Sequence, residues 1–276
     1  MSHSRIIDDP CKIDLADYDP DDTGGMKHKE ADAQLTQLEE RLGQQQDLLY
    51  GASHQSVLVV LQGMDTSGKD GTVKHVMTTV NPIGCHVWDF KVPTPDELAH
   101  DFLWRIHQRT PTRGMFAIFN RSHYEDVLVA RVHKLVPREI WEARYDQINH
   151  FERMLTQNGT IILKFFLHIS QDEQRKRLLA REDDPDKAWK LSVGDWQERQ
   201  YWDDYQSAYA DALGKCGTEW APWHIVPANK KWYRNHFIAN AIVTTLEPHE
   251  RKWRADLAER GKAELKALQE AHVHER

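Results

Sequence analysis

Gly63-Met-Asp-Thr-Ser-Gly68-Lys69 matches the spacing G-x-x-x-x-G-K. That pattern suits one task, the holding of a phosphate chain. Successive backbone N–H groups and a helix N-terminus form a concave anion site, and the glycines let the backbone wrap closely. Lys69 adds a point charge for a phosphate oxygen. Thr66, Ser67, Gly68, Asp70, Gly71 and Lys74 complete the set expected around the phosphates. The usual motif continues with Ser or Thr, whose hydroxyl binds Mg²⁺. Here Asp70 and Gly71 follow the lysine, and a further carboxylate, Asp65, sits inside the loop. A carboxylate is a hard oxygen donor, so Asp65 takes the expected place of the metal ligand. The plainer roles are a turn residue for Asp65 and a dipole-favoured first-turn acid for Asp70.

A second dense stretch is Asn120-Arg-Ser-His-Tyr-Glu-Asp126. It follows the apolar run Met115-Phe-Ala-Ile-Phe119, and ligands of open α/β sheets sit at the carboxyl ends of strands. Arg121 is a candidate phosphate clamp, bidentate where a lysine is a point charge. Asp126 is a candidate second Mg²⁺ ligand. The alternative is a well-capped helix start, with Ser122 as cap and Glu125 at its third position. His123 reads as structural rather than as a base. A third set, Arg175, Lys176, Arg177 and Arg181, is followed by Asp183-Asp184-Pro185, then Lys187, Trp189 and Lys190. Arg177 and Arg181, four apart, share a helix face. Phosphoryl-transferring enzymes close mobile basic lids there, and such arginines neutralise charge on the moving group.

The elements that must position these residues follow from periodicity. Ala31, Leu35, Leu38 and Leu42 predict an amphipathic helix over about 28–49. Val57-Leu-Val-Val-Leu-Gln62 reads as a buried parallel strand. A helix over 69–79, a strand near 85–91, a capped helix from Thr94-Pro95-Asp96-Glu97 and a strand at 115–119 come next. Pro137 opens a helix to about 157. Thr160 to Leu167 is a strand, and Ser170-Gln-Asp-Glu173 is a second capping box opening a helix through Arg181. Helix 195–213, strand 223–227, helix 230–246 and a charged tail helix at 249–272 complete the chain. Strands alternating with helices mean an α/β fold, a doubly wound parallel sheet of about five strands. Residues 1–26 read as an acidic arm. Residues 27–276 form a single domain with a lid at about 182–195 and the C-terminal helix.

The chain has 276 residues, 40% hydrophobic and 29% charged, with mean hydropathy −0.71. No apolar run is longer than that of Val57–Leu61, which is far short of the roughly 20 residues of a membrane span. The start, MSHSRIIDDP, carries no apolar signal region. Cys11, Cys85 and Cys216 are too few and too scattered for a disulfide scaffold and suit a reducing cytoplasm. Of the net charge of −7, residues 1–22 hold seven Asp against Arg5 and Lys12, a net of −5. The remainder is close to neutral, so no basic excess points to nucleic acid. A polyanion would need a locally basic channel.

Together the segments GMDTSGKDG (63–71), KVPTPDELAHDFLWRIHQRTP (91–111), FNRSHYEDV (119–127), DPDKAWKLS (184–192) and APWHIVPANKKWYRN (221–235) resemble the family-2 polyphosphate kinases, over about residues 30–246. The resemblance implies a P-loop kinase-like fold, Mg²⁺ as cofactor, and phosphoryl transfer between inorganic polyphosphate and nucleotides. It also implies homo-oligomers, dimers or tetramers. It makes Lys69 the phosphate-loop lysine and Asp65 the metal-binding Asp. Arg121 becomes an arginine beside the reacting phosphates, Arg177 and Arg181 the lid's arginine helix, and Lys190 part of its Trp-Lys pair. Members acting on nucleoside diphosphates read FDRSWYN where this chain has FNRSHYED. The version with Glu125 and Asp126 looks like class III, which accepts both AMP and ADP. Asn120 is then no carboxylate ligand, and Asp126 takes that task.

The expected function is reversible transfer of the terminal phosphoryl group of polyphosphate onto AMP and ADP. The nucleotide is expected between residues 86–95 and the 120–126 turn, and polyphosphate along Lys69, Lys74, Arg177 and Arg181. No membrane or nucleic-acid partner is expected. The alternatives are an ATP-dependent kinase of thymidylate-kinase type and a non-catalytic nucleotide-binding switch.

Overall fold

A computed structural model describes residues 5–184, 186 and 193–273. Six strands form one sheet: β1 (Ile6–Ile7), β2 (Ser56–Gln62), β3 (Cys85–Asp89), β4 (Phe116–Asn120), β5 (Thr160–His168) and β6 (Trp223–Pro227). Their order is β1-β6-β5-β2-β4-β3, parallel throughout except for β1. The principal helices are α1 (His28–Ala52), α2 (Lys69–Val76), α3 (Arg138–Gln157), α4 (Gln171–Glu182), α5 (Trp202–Cys216) and α6 (Lys231–Val273).

β2 lies between β4 and β5, and all seven of its residues are buried, as its unbroken apolar pattern requires. Phe116, Phe119, Phe165, Phe166 and Trp223 fill the core around it. The register pairs Leu61 of β2 with Asn120 of β4. The chain therefore leaves both strands side by side, and the phosphate loop and the 120–126 turn start as neighbours.

The sixth strand is the difference from the expected five. Residues 5–22 contain no helical or strand period, yet they dock along the sheet. Ile6 and Ile7 pair antiparallel with His224 and Trp223, and Ile7 and Leu15 are buried. Arg5 holds Asp22 and donates to the Tyr233 hydroxyl. Asp14, Asp19 and Asp22 accept from the backbone N–H two residues on, so these aspartates build turns. What reads as an acidic arm is thus partly the edge of the sheet.

The C-terminal elements also differ. Helices 230–246 and 249–272 are one helix, α6, that runs through Pro248. A proline in a helix interior costs a hydrogen bond and a clash. Packing on α1 offsets it on both sides, with Leu246 and Trp253 fully buried. Gln45 of α1 spans the proline, donating to the Val243 carbonyl at 3.0 Å and to Glu250 Oε1 at 2.9 Å.

The capped starts form as their residues dictate. Thr94 and Glu97 make the reciprocal capping box. Ser170 caps α4 through the Glu173 N–H, but the Glu173 carboxylate turns to Arg177 instead of the cap. Beyond Arg181 and Glu182, residues 185 and 187–192 of the expected lid, with Lys190, lie outside the described residues.

Candidate active site

The phosphate loop closes the gap between β2 and α2. Gly63 and Gly68 sit at φ +153° and +104°, and a side chain on either would strike neighbouring atoms at 2.8 Å or closer. Thr66 adopts a left-handed φ of 65° without being glycine. Ser67 N–H bonds back to the Met64 carbonyl at 3.1 Å, and Thr72 N–H to that of Gly68 at 2.9 Å. Lys69 opens α2 and is buried; its Nζ donates to the carbonyls of Gly63 (2.7 Å) and Met64 (3.3 Å). Burial, and then the like charge of Arg121, push its ammonium down to about 8.

The hydroxyls of Thr66, Ser67 and Thr72 are buried without a hydrogen-bond partner, as is Asn120 Oδ1. Buried polar atoms are rarely left so. A ring of orphaned donors and acceptors around a concave loop fits an incoming phosphate or its hydrated cation.

Arg121 stands opposite. Its backbone N–H bonds to the Leu61 carbonyl at 3.1 Å, which locks the two strand ends together. Its φ of 62° turns the chain sharply at this point. Its guanidinium bonds Asp65 Oδ1 at 2.8 Å and lies 3.6 Å from Glu125. Burial works against the Arg121 charge, but Glu125 and Asp65 outweigh it and raise the pKa. Asn120 reaches across to Asp70 at 3.0 Å. The fold thus gathers Lys69, Asp65, Asp70, Asn120, Arg121 and Glu125 around one concavity. Gly71 lies at the start of α2, whereas Lys74, further along that helix, faces solvent.

Asp126 does not join them. Its carboxylate and carbonyl both take Arg144 Nη1, at 3.2 and 2.9 Å. Burial raises its carboxyl to about 6 against the pull of Arg144 and Arg105. Asp65 and Glu125 both meet Arg121, whereas Asp126, the other carboxylate expected beside Asp65, meets Arg144. The physical reason is the tight 3₁₀ turn His123–Asp126, which sends adjacent side chains to different sides.

Arg177 and Arg181 also separate. Every N–H of Arg177 is committed: to Glu173 (2.8 Å), Thr66 (3.0 Å), Ser67 (3.1 Å), Ala228 (2.7 Å) and Asn229 (2.8 Å). It props the phosphate loop from beneath and does not line a channel. Arg181 instead pairs with Asp195 at 2.7 Å and is partly open to solvent. Asp195 is held up by burial and by the charge of Asp65, so this pair stands at the edge of the site.

Two groups of consequence escape a reading of the sequence. Arg234 of α6 lies under the loop, with Nη1 3.3 Å from the Ser67 carbonyl. The only sequence signal is its place in the segment 221–235. The second is a buried network behind the 120–126 turn, in which Glu152 accepts from Tyr124 (2.8 Å) and Lys164 (2.6 Å) and meets His123 Nε2 at 3.1 Å. A lone lysine in the apolar run 160–167 is the signal. His123, fully buried there, positions the turn and touches no concavity.

The family described as Polyphosphate kinase 2 (PPK2) matches residues 25–254. The chain belongs to the polyphosphate kinase 2 family. An AMP/ADP-polyphosphate phosphotransferase of Meiothermus ruber is 53% identical over 86% of this chain and 89% of its own. An ADP-polyphosphate phosphotransferase of Rhodopseudomonas palustris is 47% identical over 75% of this chain and 76% of its own. The crystal structure of polyphosphate kinase 2 from Arthrobacter aurescens TC1 superposes with a TM-score of 0.85 at 45% identity, covering 88% of both chains. As a polyphosphate kinase 2 family member, the protein is an enzyme, a kinase with the α/β sheet that its strand pattern predicts.

Proposed function

We propose that the protein transfers the terminal phosphoryl group of inorganic polyphosphate reversibly onto AMP and ADP, with ATP as the final product. The observation that carries this is the pairing of a lysine-bearing phosphate loop with the Arg121–Glu125 turn across one concavity. Support comes also from the AMP/ADP-polyphosphate phosphotransferase at 53% identity.

An acceptor phosphate oxygen attacks the terminal phosphorus while the bond to the bridging oxygen breaks. The acceptor oxygen is already anionic near neutral pH, so no general base is required. Positioning and charge neutralisation suffice. Lys69 exchanges the Gly63 and Met64 carbonyls for phosphate oxygens. Arg121 offers its remaining N–H groups to the reacting phosphates, and Asp65 and Glu125 fix its orientation. Arg181 and Lys190 belong to the lid side of the site.

Mg²⁺ is part of the proposal. Asp65 and Glu125 are hard oxygen donors that both meet Arg121, and the Thr66 and Ser67 hydroxyls of the loop lack partners, which fits a cation that keeps its waters and binds phosphate oxygens. Among the described residues no cluster of three or more His, Cys, Asp or Glu could hold a metal alone. When bound, Mg²⁺ would neutralise charge on the phosphates.

Cytoplasmic location is supported by three free cysteines. No described helix is long and apolar enough to cross a membrane. A homo-oligomer of two or four copies is supported by two exposed apolar side chains at the outer edge of the sheet, Ile83 in the turn before β3 and Val87 in β3. Light scattering on the purified protein tests the copy number. The decisive assay supplies polyphosphate, Mg²⁺ and either AMP or ADP, with no other donor. Formation of ADP and ATP is expected, and their absence, with phosphorylation only when ATP is supplied, would assign an ATP-dependent kinase instead.

A further inference from the structure

Two guanidinium groups lie under the phosphate loop, and they differ in one respect. Arg177 has a carboxylate partner, Glu173, at 2.8 Å. Arg234 is 2% exposed, and its acceptors among the described residues are neutral. Nη1 donates to the Ser67 carbonyl at 3.3 Å, and Nε and Nη2 donate to Asn235 Oδ1 at 3.1 and 2.7 Å. A methyl group on Gly68 would lie 1.8 Å from Arg234 Nη1, and one on Gly71 would lie 3.2 Å from Nη2. The guanidinium therefore fills the space directly beneath the end of the loop and the first turn of α2. Burial, and after it the like charge of Arg177, lower its pKa to about 10, which leaves it charged at neutral pH.

A buried charge without a counter-charge is unfavourable, and a folded chain rarely keeps one unless something else balances it. Here the balance lies across the backbone. Arg177 and Arg234 donate to the carbonyls of Thr66 and Ser67. Those carbonyls share peptide units with the N–H of Ser67, which bonds the Met64 carbonyl within the loop, and with the N–H of Gly68. Donation to a carbonyl polarises the peptide and strengthens its N–H as a donor.

We infer that Arg234 is a positioning residue whose unpaired buried charge serves as counter-charge to the polyphosphate chain on the opposite side of the loop. The inference rests on the proposal that this loop holds polyphosphate. Binding then completes an electrostatic pairing that the free protein lacks, and part of the affinity for the polyanion comes from a residue that never touches it.

Asn235→Asp separates this from a merely structural role. It keeps the shape of the partner of Arg234 but supplies the missing negative charge. The free protein should melt several degrees higher. Its Kd for tripolyphosphate, by calorimetry at low salt, should rise about tenfold or more, while KM for ADP stays within about twofold. Arg234→Gln removes the charge instead and should weaken tripolyphosphate similarly, with Arg234→Lys closer to wild type. Tripolyphosphate binding that is unchanged or tighter in Asn235→Asp would overturn the inference. So would Arg234→Lys losing as much affinity as Arg234→Gln, because packing alone would then explain both. Lys69→Ala is the control. If it binds tripolyphosphate like wild type, the loop does not hold the polyanion and the proposed function itself fails. If it loses binding while Asn235→Asp does not, only the counter-charge is wrong.

Discussion

Lys164→Met tests whether the buried network behind the 120–126 turn holds the site together. Lys164 Nζ uses all three of its donors, on Glu152 (2.6 Å), the Tyr124 hydroxyl (2.8 Å) and the Cys216 carbonyl (2.7 Å). Lys164, Glu152, His123 and Tyr124 are all 0% exposed. Burial alone would push the Glu152 carboxyl up, yet Lys164 and His123 hold it below its usual range. Methionine keeps the volume and removes the ammonium, leaving a carboxylate in a dry interior with only two weaker donors. Breaking such a pair costs about 3–5 kcal/mol. For a chain of this size 1 kcal/mol moves Tm by roughly 2–4 °C, so a fall of roughly 6–20 °C is expected. Adding Glu152→Gln removes the stranded charge, and the double variant should be more stable than Lys164→Met alone. Urea denaturation at pH 7 and scanning calorimetry measure both. Turnover should fall with the single variant, because His123 and Tyr124 lie two and three residues after Arg121 in the same tight turn. A single variant within about 1 kcal/mol of wild type, or a double variant costing the sum of the two singles, would refute the coupling.

Asp65→Asn should shift the Mg²⁺ dependence of turnover, whereas Asp126→Asn should leave that titration unchanged; equal shifts in both would return Asp126 to the site. Lys69 is charged below about pH 8 and neutral above it, so KM for polyphosphate should climb as pH rises through 8. A flat profile from pH 7 to 9.5 would show that its ammonium is not depressed. Arg177→Ala should lower Tm and turnover together, since it strips five hydrogen bonds from the loop and its neighbours. Arg181→Ala should lower kcat by about 10²–10³ with Tm little changed; the reverse pattern would exchange their roles. Glu125→Asn should depress AMP phosphorylation more than ADP phosphorylation, because a carboxylate can stand in for part of what the absent β-phosphate does. An unchanged AMP/ADP ratio of kcat/KM would limit Glu125 to orienting Arg121.

The local features were written into the chain. The spacing of Gly63, Gly68 and Lys69 fixes the loop, since a bound phosphate demands a turn of that length between strand and helix. Ser122, Thr94 and Ser170 cap the turns and helices they precede, because capping is decided within three residues. The apolar runs of β2, β4 and β5 declare buried parallel strands. What the sequence left open is where side chains adjacent in the chain point, and what packs beneath them. Glu125 and Asp126 are neighbours, yet one meets Arg121 and the other Arg144, because a 3₁₀ turn sends them apart. Arg177 and Arg181 share a helix face, yet the first lies under the loop and the second at its edge, since one helical turn is a rise of about 5 Å. The two helices expected over 230–246 and 249–272 are one, because long-range packing on α1 carries the helix through Pro248. The partners of Lys164 and Arg234 are set by which elements the sheet order brings together. Local spacing carries no record of that order, because contacts between distant segments are chosen by the burial of whole faces and not by any single residue's propensity.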